Sequence, residues 1–130
     1  MKEWLTALLI SAIAALAPIQ ATLITVGVLI FVDAFTGMYA SYKRKEPITS
    51  AVMRRTISKL LVYQTVIISG YLLEHNILDH ILPIAKMLAG ACGVVEFKSI
   101  LENSNSIMGA DIFKSIISKL GSDNDIKPKG

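Results

Sequence analysis

Long apolar stretches separated by short charged segments dominate the pattern of the chain. No charged residue lies between Glu3 and Asp33. A single helix over that interval would be about 43 Å long, which exceeds the roughly 30 Å hydrocarbon core of a bilayer. Pro18 lies near its middle, and because proline lacks a backbone donor we expect a break there. The pattern therefore predicts a first helix over residues 2–16 and a second over residues 19–42.

Three further helices are predicted after the second. Residues 43–47 (Lys-Arg-Lys-Glu-Pro) interrupt the helical pattern, because a run of charges ending in proline favours a turn. Thr49 or Ser50 can then accept a backbone hydrogen bond as the cap of the next helix. The predicted helices cover residues 49–73, 81–102 and 110–120, and the last of them is amphipathic.

These elements define an all-α fold, because no segment alternates as a β-strand does. We predict a small helical membrane bundle with three transmembrane helices, namely the second, third and fourth. The apolar first helix is interpreted as a retained part of the protein and not as a cleaved signal peptide. We expect it to lie in the membrane interface or to pack on the bundle. We expect residues 103–109 to form a loop, residues 1–121 to form one domain, and residues 122–130 to form a flexible polar tail.

Composition narrows the classes of protein that fit this pattern. Hydrophobic residues make up 53% of the 130 residues and charged residues only 18%, whereas about a quarter of a soluble domain is charged. The low charge argues against a disordered chain, a nucleic-acid-binding protein and a compact soluble enzyme. No nucleophile triad, phosphate-binding glycine loop or zinc motif is present, so we predict no enzymatic activity, no cofactor and no metal site.

The charges that do occur indicate an orientation. Residues 43–59 hold six basic residues and one acidic residue, while the turn near residues 74–79 holds two acids and no lysine or arginine. Basic loops stay on the cytoplasmic side of a membrane, so we expect the first loop to be cytoplasmic and the second to be external. Basic runs beside an apolar helix favour anionic lipid over nucleic acid. The residues of the cytoplasmic basic loop are Lys43, Arg44, Lys45 and Arg54.

A second group of charges falls inside the predicted spans. Asp33 and Lys59 are equally far from Glu46 at the first turn, so an antiparallel hairpin places them at one height. The same counting around the second turn places Glu96 beside Lys59. We therefore predict an intramembrane ionic cluster of these three residues, with Arg55 as a substitute partner. The alternative is that each charged group reaches the lipid headgroups separately.

Small residues at helical spacing indicate close packing between helices. In lipid, small side chains let helix backbones approach one another, although ordinary helix composition also gives such spacings. The packing candidates are Gly37, Ala85, Ala89 and Gly93.

Two motifs carry a family resemblance. The segment that begins at Asp33 resembles the D-x-x-T-G-x-x-x-A stretch of the toxin-secretion/phage-lysis holin family, and the segment that begins at Glu96 is similar to its E-x-x-S-I-x-E-N stretch. Between them come a basic linker and Ser50, followed by the arginines and lysine that enter the next span. The resemblance covers residues 24–120, and the long apolar segment around Pro18 departs from it.

The resemblance implies a phage-type holin that forms homo-oligomers in the lipid of the host cytoplasmic membrane. Its lesions would release an endolysin or toxin, and an antiholin or endolysin-system protein would be its partner. Polar groups on the spans would then line the lesion. Two alternatives are a non-lytic membrane component, such as an antiholin or assembly scaffold, and a helical structural subunit of a larger assembly. The lining candidates are Gln64, Thr65, Ser69 and Lys86.

Overall fold

Five α-helices make up the fold of the computed structural model, which describes residues 1–109 and 111–122. No strand occurs in these two ranges, so the all-α prediction is confirmed for them. Helix α4 packs against both α2 and α3, and its contact with α2 is the most extensive. The helices are α1 (Lys2–Ala15), α2 (Gln20–Lys43), α3 (Ser50–Asn76), α4 (Ile84–Met108) and α5 (Ile112–Ser122).

The chain breaks between α1 and α2 at Pro18. Pro18 lies in the first turn of the 3₁₀ turn Ala17–Ile19. At that position a backbone N–H has no partner within the helix, so the N–H that proline lacks costs no hydrogen bond. The amide of Leu16 closes α1 by donating to the carbonyls of Ala12 and Ile13, both at 3.2 Å.

Helix α4 differs most from its prediction. It begins at Ile84, directly after Pro83, and continues through residues 103–108, so the prediction of a loop there is wrong. These polar residues stay helical because their side chains form hydrogen bonds. Ser104 Oγ donates to the carbonyl of Ile100 at 2.8 Å, and the side chain of Asn103 donates to Asp33 on α2. Gly109 then ends the helix with a φ of 65°, a conformation that glycine adopts without strain.

The other helix ends shift by a few residues. Helix α3 continues to Asn76, and α5 continues to Ser122, past Gly121. Across the turn between α3 and α4, the backbone amide of Ala85 donates to Glu74 Oε2 at 3.1 Å. This bond satisfies one of the free amides at the start of α4. Of the predicted polar tail, residues 123–130 lie outside the described residues.

The core is a narrow seam where α2, α3 and α4 meet. Ile30 and Ile67 are fully buried in it, and Ala85 and Ala89 supply the small side chains of α4. The faces turned away from the seam carry large apolar side chains such as Phe35, which is 64% exposed. A protein that buries so little apolar surface and exposes so much of it is suited to a lipid surrounding.

Helix α1 stands apart from this seam. None of the residues of α1 is buried. The main contact that α1 makes is with the 3₁₀ turn that follows it. It does not pack on the bundle, which was one of the two expected positions. At about 21 Å it is also shorter than the hydrocarbon core.

Two segments are long and apolar enough to cross a membrane by length and composition, Ala17–Lys43 and Ser50–Asn76. Helix α4 does not meet this criterion. Lys86, Glu96, Lys98 and Glu102 interrupt its apolar sequence.

Candidate functional site: an ionic cluster between three helices

Three charged side chains from three helices meet beside the core seam. Lys59 Nζ on α3 donates to Asp33 Oδ2 on α2 at 2.9 Å and to Glu96 Oε2 on α4 at 3.0 Å. The Glu96 side chain is fully buried, and those of Asp33 and Lys59 are 13% and 24% exposed. The structure thus brings together the three residues that counting along the two hairpins placed at one height.

A fourth residue, Asn103, completes the cluster. Its side-chain amide donates to Asp33 Oδ1 and to Thr36 Oγ1, both at 3.1 Å. The E-x-x-S-I-x-E-N stretch ends on Asn103, but its place in the cluster was missed in the sequence because the polar run that it begins looked like a loop. The available signal was its spacing, since Asn103 lies seven residues after Glu96, and two helical turns put both residues on one face.

Gly37 makes room for this asparagine. A Cβ atom added at Gly37 would lie 3.4 Å from Asn103 Nδ2, so a larger side chain would press on the amide. Asp33, Thr36 and Gly37 therefore share one face of α2, and all three meet Asn103. This common contact gives a physical reason for the D-x-x-T-G spacing in the sequence.

The charges within the cluster do not balance. Two carboxylates share one ammonium group, and Glu96 Oε1 is buried without a hydrogen-bond partner among the described residues. Removing one partner from a buried ion pair costs about 3–5 kcal/mol, because the other charge is left unpaired. The single lysine is therefore the residue on which the arrangement depends most.

Arg55 does not join the cluster. It lies one turn before Lys59 on α3 and is exposed, and no ion pair links it to an acidic residue in ranges 1–109 and 111–122. It lines instead a polar cavity beside the cluster.

The basic loop is anchored to the end of α4. Lys43 Nζ donates to the carbonyl of Ile107 at 2.8 Å, and Arg44 donates to Ser106 Oγ at 2.7 Å. Cations placed near these last carbonyls also interact favourably with the helix dipole. Arg44 makes two further bonds to Glu46, both at 2.9 Å, and these hold the pKa of the Glu46 carboxyl below its usual value. Arg54 and Lys45 point to the surface.

The small residues predicted to pack on α4 lie close to the neighbouring helices. Ala85 and Ala89 are buried in the seam, and a Cβ added at Gly93 would lie 3.5 Å from Leu29 Cδ1 on α2. The tightest approach was missed in the sequence. It occurs at Gly70 on α3, where an added Cβ would lie 2.5 Å from Leu88 Cδ1 on α4.

The comparisons with known proteins identify the family. The model of the bacteriophage holin family matches residues 10–122, which is most of the chain. The chain belongs to the bacteriophage holin family. The comparisons with curated proteins and with solved structures gave no significant match.

Family membership confirms the resemblance drawn from the two motifs. Holins are non-enzymatic membrane proteins, and the two apolar helices agree with a membrane location. The matched residues include the whole ionic cluster and Asn103. In this holin, therefore, the cluster lies within the part of the chain that the family model matches.

The proposed lining residues of the holin are not gathered on one face. Gln64 is half-buried, and its side-chain amide donates to the carbonyl of Leu23 on α2 at 2.9 Å. Thr65 and Ser69 are exposed on α3 and bond to carbonyls of their own helix. Lys86 is exposed on α4. Gln64 thus serves contact between helices, whereas the other three are available at the surface.

Proposed function

We propose that this holin associates laterally in the cytoplasmic membrane of the host and opens lesions through which an endolysin or toxin leaves. The observation that carries the proposal is the filled seam of the bundle. Ile30 and Ile67 occupy the space where α2, α3 and α4 meet, so a single chain holds no passage along its axis. A lesion must therefore form between copies, and polar residues on outward faces, such as Thr65 and Ser69, are suited to line it.

Helix α1 is the proposed site of contact between copies. It is apolar on all sides and has no buried residue, so its surface is free for a second chain. Ala7, Ser11 and Ala15 place small groups on one of its faces. Small residues permit the close helix approach that association in lipid requires.

We further propose that α4 crosses the membrane beside α2 and α3. Its length is about 37 Å, and it packs along both apolar helices. Two features reduce the cost of its charges: Glu96 is paired with Lys59, and the exposed Lys98 and Glu102 form a pair at 3.8 Å. Three crossings would put the basic loop and α5 on the cytoplasmic side and the α3–α4 turn outside.

Cysteine labelling tests this topology. In a Cys92→Ser background the chain has no other cysteine, so a single new one can be placed at Lys45 or at Asp79. A membrane-impermeant maleimide added to intact spheroplasts should label Asp79→Cys and spare Lys45→Cys. Equal labelling of both variants would contradict the three-span arrangement.

Expression in bacteria tests lesion formation. Induction should stop growth and collapse the membrane potential, and co-expression of an endolysin should then lyse the cells. Cells that keep growing with a normal potential, although the protein is present in the membrane, would contradict lesion formation. That outcome would favour the antiholin or scaffold alternative.

A further inference from the structure

Helix α5 has an apolar side that the bundle leaves uncovered. Ile116, Ile117 and Leu120 lie on this side and are 48%, 52% and 65% exposed. The main contact of α5 is with α4, and the proposed lesion does not use it. With 11 residues the helix is about 16 Å long, which is too short to cross the hydrocarbon core of a bilayer.

A helix of this length needs a surface to pack against. Asp111 caps its start, because Asp111 Oδ1 accepts the amide of Lys114 and the Asp111 carbonyl accepts Ser115 Oγ, both at 3.0 Å. A cap contributes only about 1 kcal/mol, and isolated helices of this size are marginal in water. Most helical stability comes from packing an apolar face, so the open side of α5 requires a cover.

The end of α4 places α5 at the height of the basic loop. Lys43, the last residue of α2, bonds through Nζ to the carbonyl of Ile107, and α5 begins shortly afterwards at Ile112. Lys43 and Ser50 are also the limits of the two segments that can cross a membrane. Helix α5 therefore begins where these segments leave the hydrocarbon core.

Two lysines border the apolar side of α5, one on each edge. Lys114 comes three residues before Ile117, and residues spaced in this way are neighbours on a helix surface. Lys119 comes three residues after Ile116, so it lies on the opposite edge. Lys114 pairs with Asp111 at 3.8 Å, but its side chain is 85% exposed, and such a pair stabilises little. Lysines so placed can lay their stems along apolar surface and extend their ammonium groups to phosphates.

We propose that α5 lies flat in the membrane interface, with its apolar side among the lipid chains and Lys114 and Lys119 at anionic headgroups. An apolar side flanked by basic residues is typical of helices that bind anionic lipid surfaces in this way. The proposal rests on the membrane location of the family. It depends neither on lesion formation nor on the number of crossings.

Fluorescent labels on the full chain test the position of α5. In a Cys92→Ser background, a single cysteine at Ile116→Cys or Ser118→Cys carries an environment-sensitive fluorophore. Ser118 comes two residues after Ile116 and therefore lies on nearly the opposite side of the helix. In vesicles of phosphatidylcholine and phosphatidylglycerol, the label at residue 116 should emit at shorter wavelength and be quenched by nitroxide-labelled lipid. The label at residue 118 should instead be quenched by aqueous iodide.

Two results would overturn the inference. Equal access of iodide to both labels would show that the apolar side of α5 faces water. A label at residue 116 that is protected from iodide, and yet is not quenched by the nitroxide lipid, would show that α5 packs on protein, such as a second copy. Neither result bears on lesion formation, which is measured by growth and membrane potential.

Charge variants test the anionic headgroups. Lys114→Gln combined with Lys119→Gln should lower the ratio of membrane-bound to free α5 about 25-fold in these vesicles, at about five-fold for each lysine. Iodide quenching of the label at residue 116 measures this ratio. Lys45→Gln combined with Arg54→Gln is the matched control, because it removes two positive charges from the basic loop, and it should change the ratio far less. Equal effects of the two pairs, or no effect of either, would contradict the placement of the α5 lysines at the headgroups.

Discussion

Replacing Lys59 by methionine is the most decisive perturbation of the bundle. The change keeps the length of the side chain and removes the ammonium group that bridges Asp33 and Glu96 at 2.9 and 3.0 Å. Two carboxylates then face each other without a counter-charge, and Glu96 is fully buried. We expect a loss of about 3–5 kcal/mol in the free energy of unfolding.

The cluster also predicts an order among its variants. Asp33→Asn should cost only about 1 kcal/mol, because it leaves Lys59 and Glu96 as a balanced pair and loses one of the two side-chain hydrogen bonds that Asp33 accepts from Lys59 and Asn103. The triple variant Asp33→Asn, Lys59→Met, Glu96→Gln should be more stable than Lys59→Met alone, since no unpaired charge is left buried.

Reversible unfolding in mixed detergent micelles, followed by far-UV circular dichroism, measures these differences. Lys98→Met is the control, because Lys98 is 77% exposed and its pair with Glu102 spans 3.8 Å, so little change is expected. The reasoning is refuted if Lys59→Met is no more destabilising than this control. It is equally refuted if the triple variant is no more stable than Lys59→Met.

Three further predictions concern packing and association. Asn103→Ala should lower the free energy of unfolding, measured in the same micelles, by about 1–3 kcal/mol, because Asp33 and Thr36 lose their shared donor. No loss of stability would contradict the role of Asn103 in the cluster. Gly70→Leu should destabilise the bundle by about 1–3 kcal/mol through overpacking against Leu88, whereas Gly90→Leu should not, since nothing lies within 4 Å of a Cβ added there. Ala7→Leu on the small face of α1 should reduce cross-linked oligomers in membranes and delay growth arrest. Ala12→Leu, on another face of α1, should do neither, and equal effects of both would contradict a specific contact.

The proximity of Asp33, Lys59 and Glu96 could be predicted from the sequence because it depends only on the number of residues between each of them and the nearest turn. In an antiparallel hairpin, two residues equally far from the turn lie at one height whatever the side chains around them. The break at Pro18 was predictable for a similar reason, since a missing donor is a local property of the chain.

The role of Asn103 and the length of α4 could not be predicted in this way. Polar residues continue a helix when their side chains find partners, and the partners of Asn103 are on α2, far away in sequence. Gly70 was missed because its close neighbour, Leu88, is on another helix. The position of Arg55 outside the cluster depends on the direction of a long side chain, which spacing alone does not fix.

Polar contacts explain how so thin a bundle keeps a defined shape in lipid. Lipid tails are as apolar as the core side chains, so burial of the seam gives no hydrophobic driving force between the helices. Lys59, Asn103 and Gln64 instead join α2, α3 and α4 through hydrogen bonds that fit only one register. Because these contacts lie on the inner faces, they leave α1 and the outer faces of α2 and α3 uncommitted. A subunit built in this way presents most of its surface to lipid or to further copies, as the proposed lateral assembly requires.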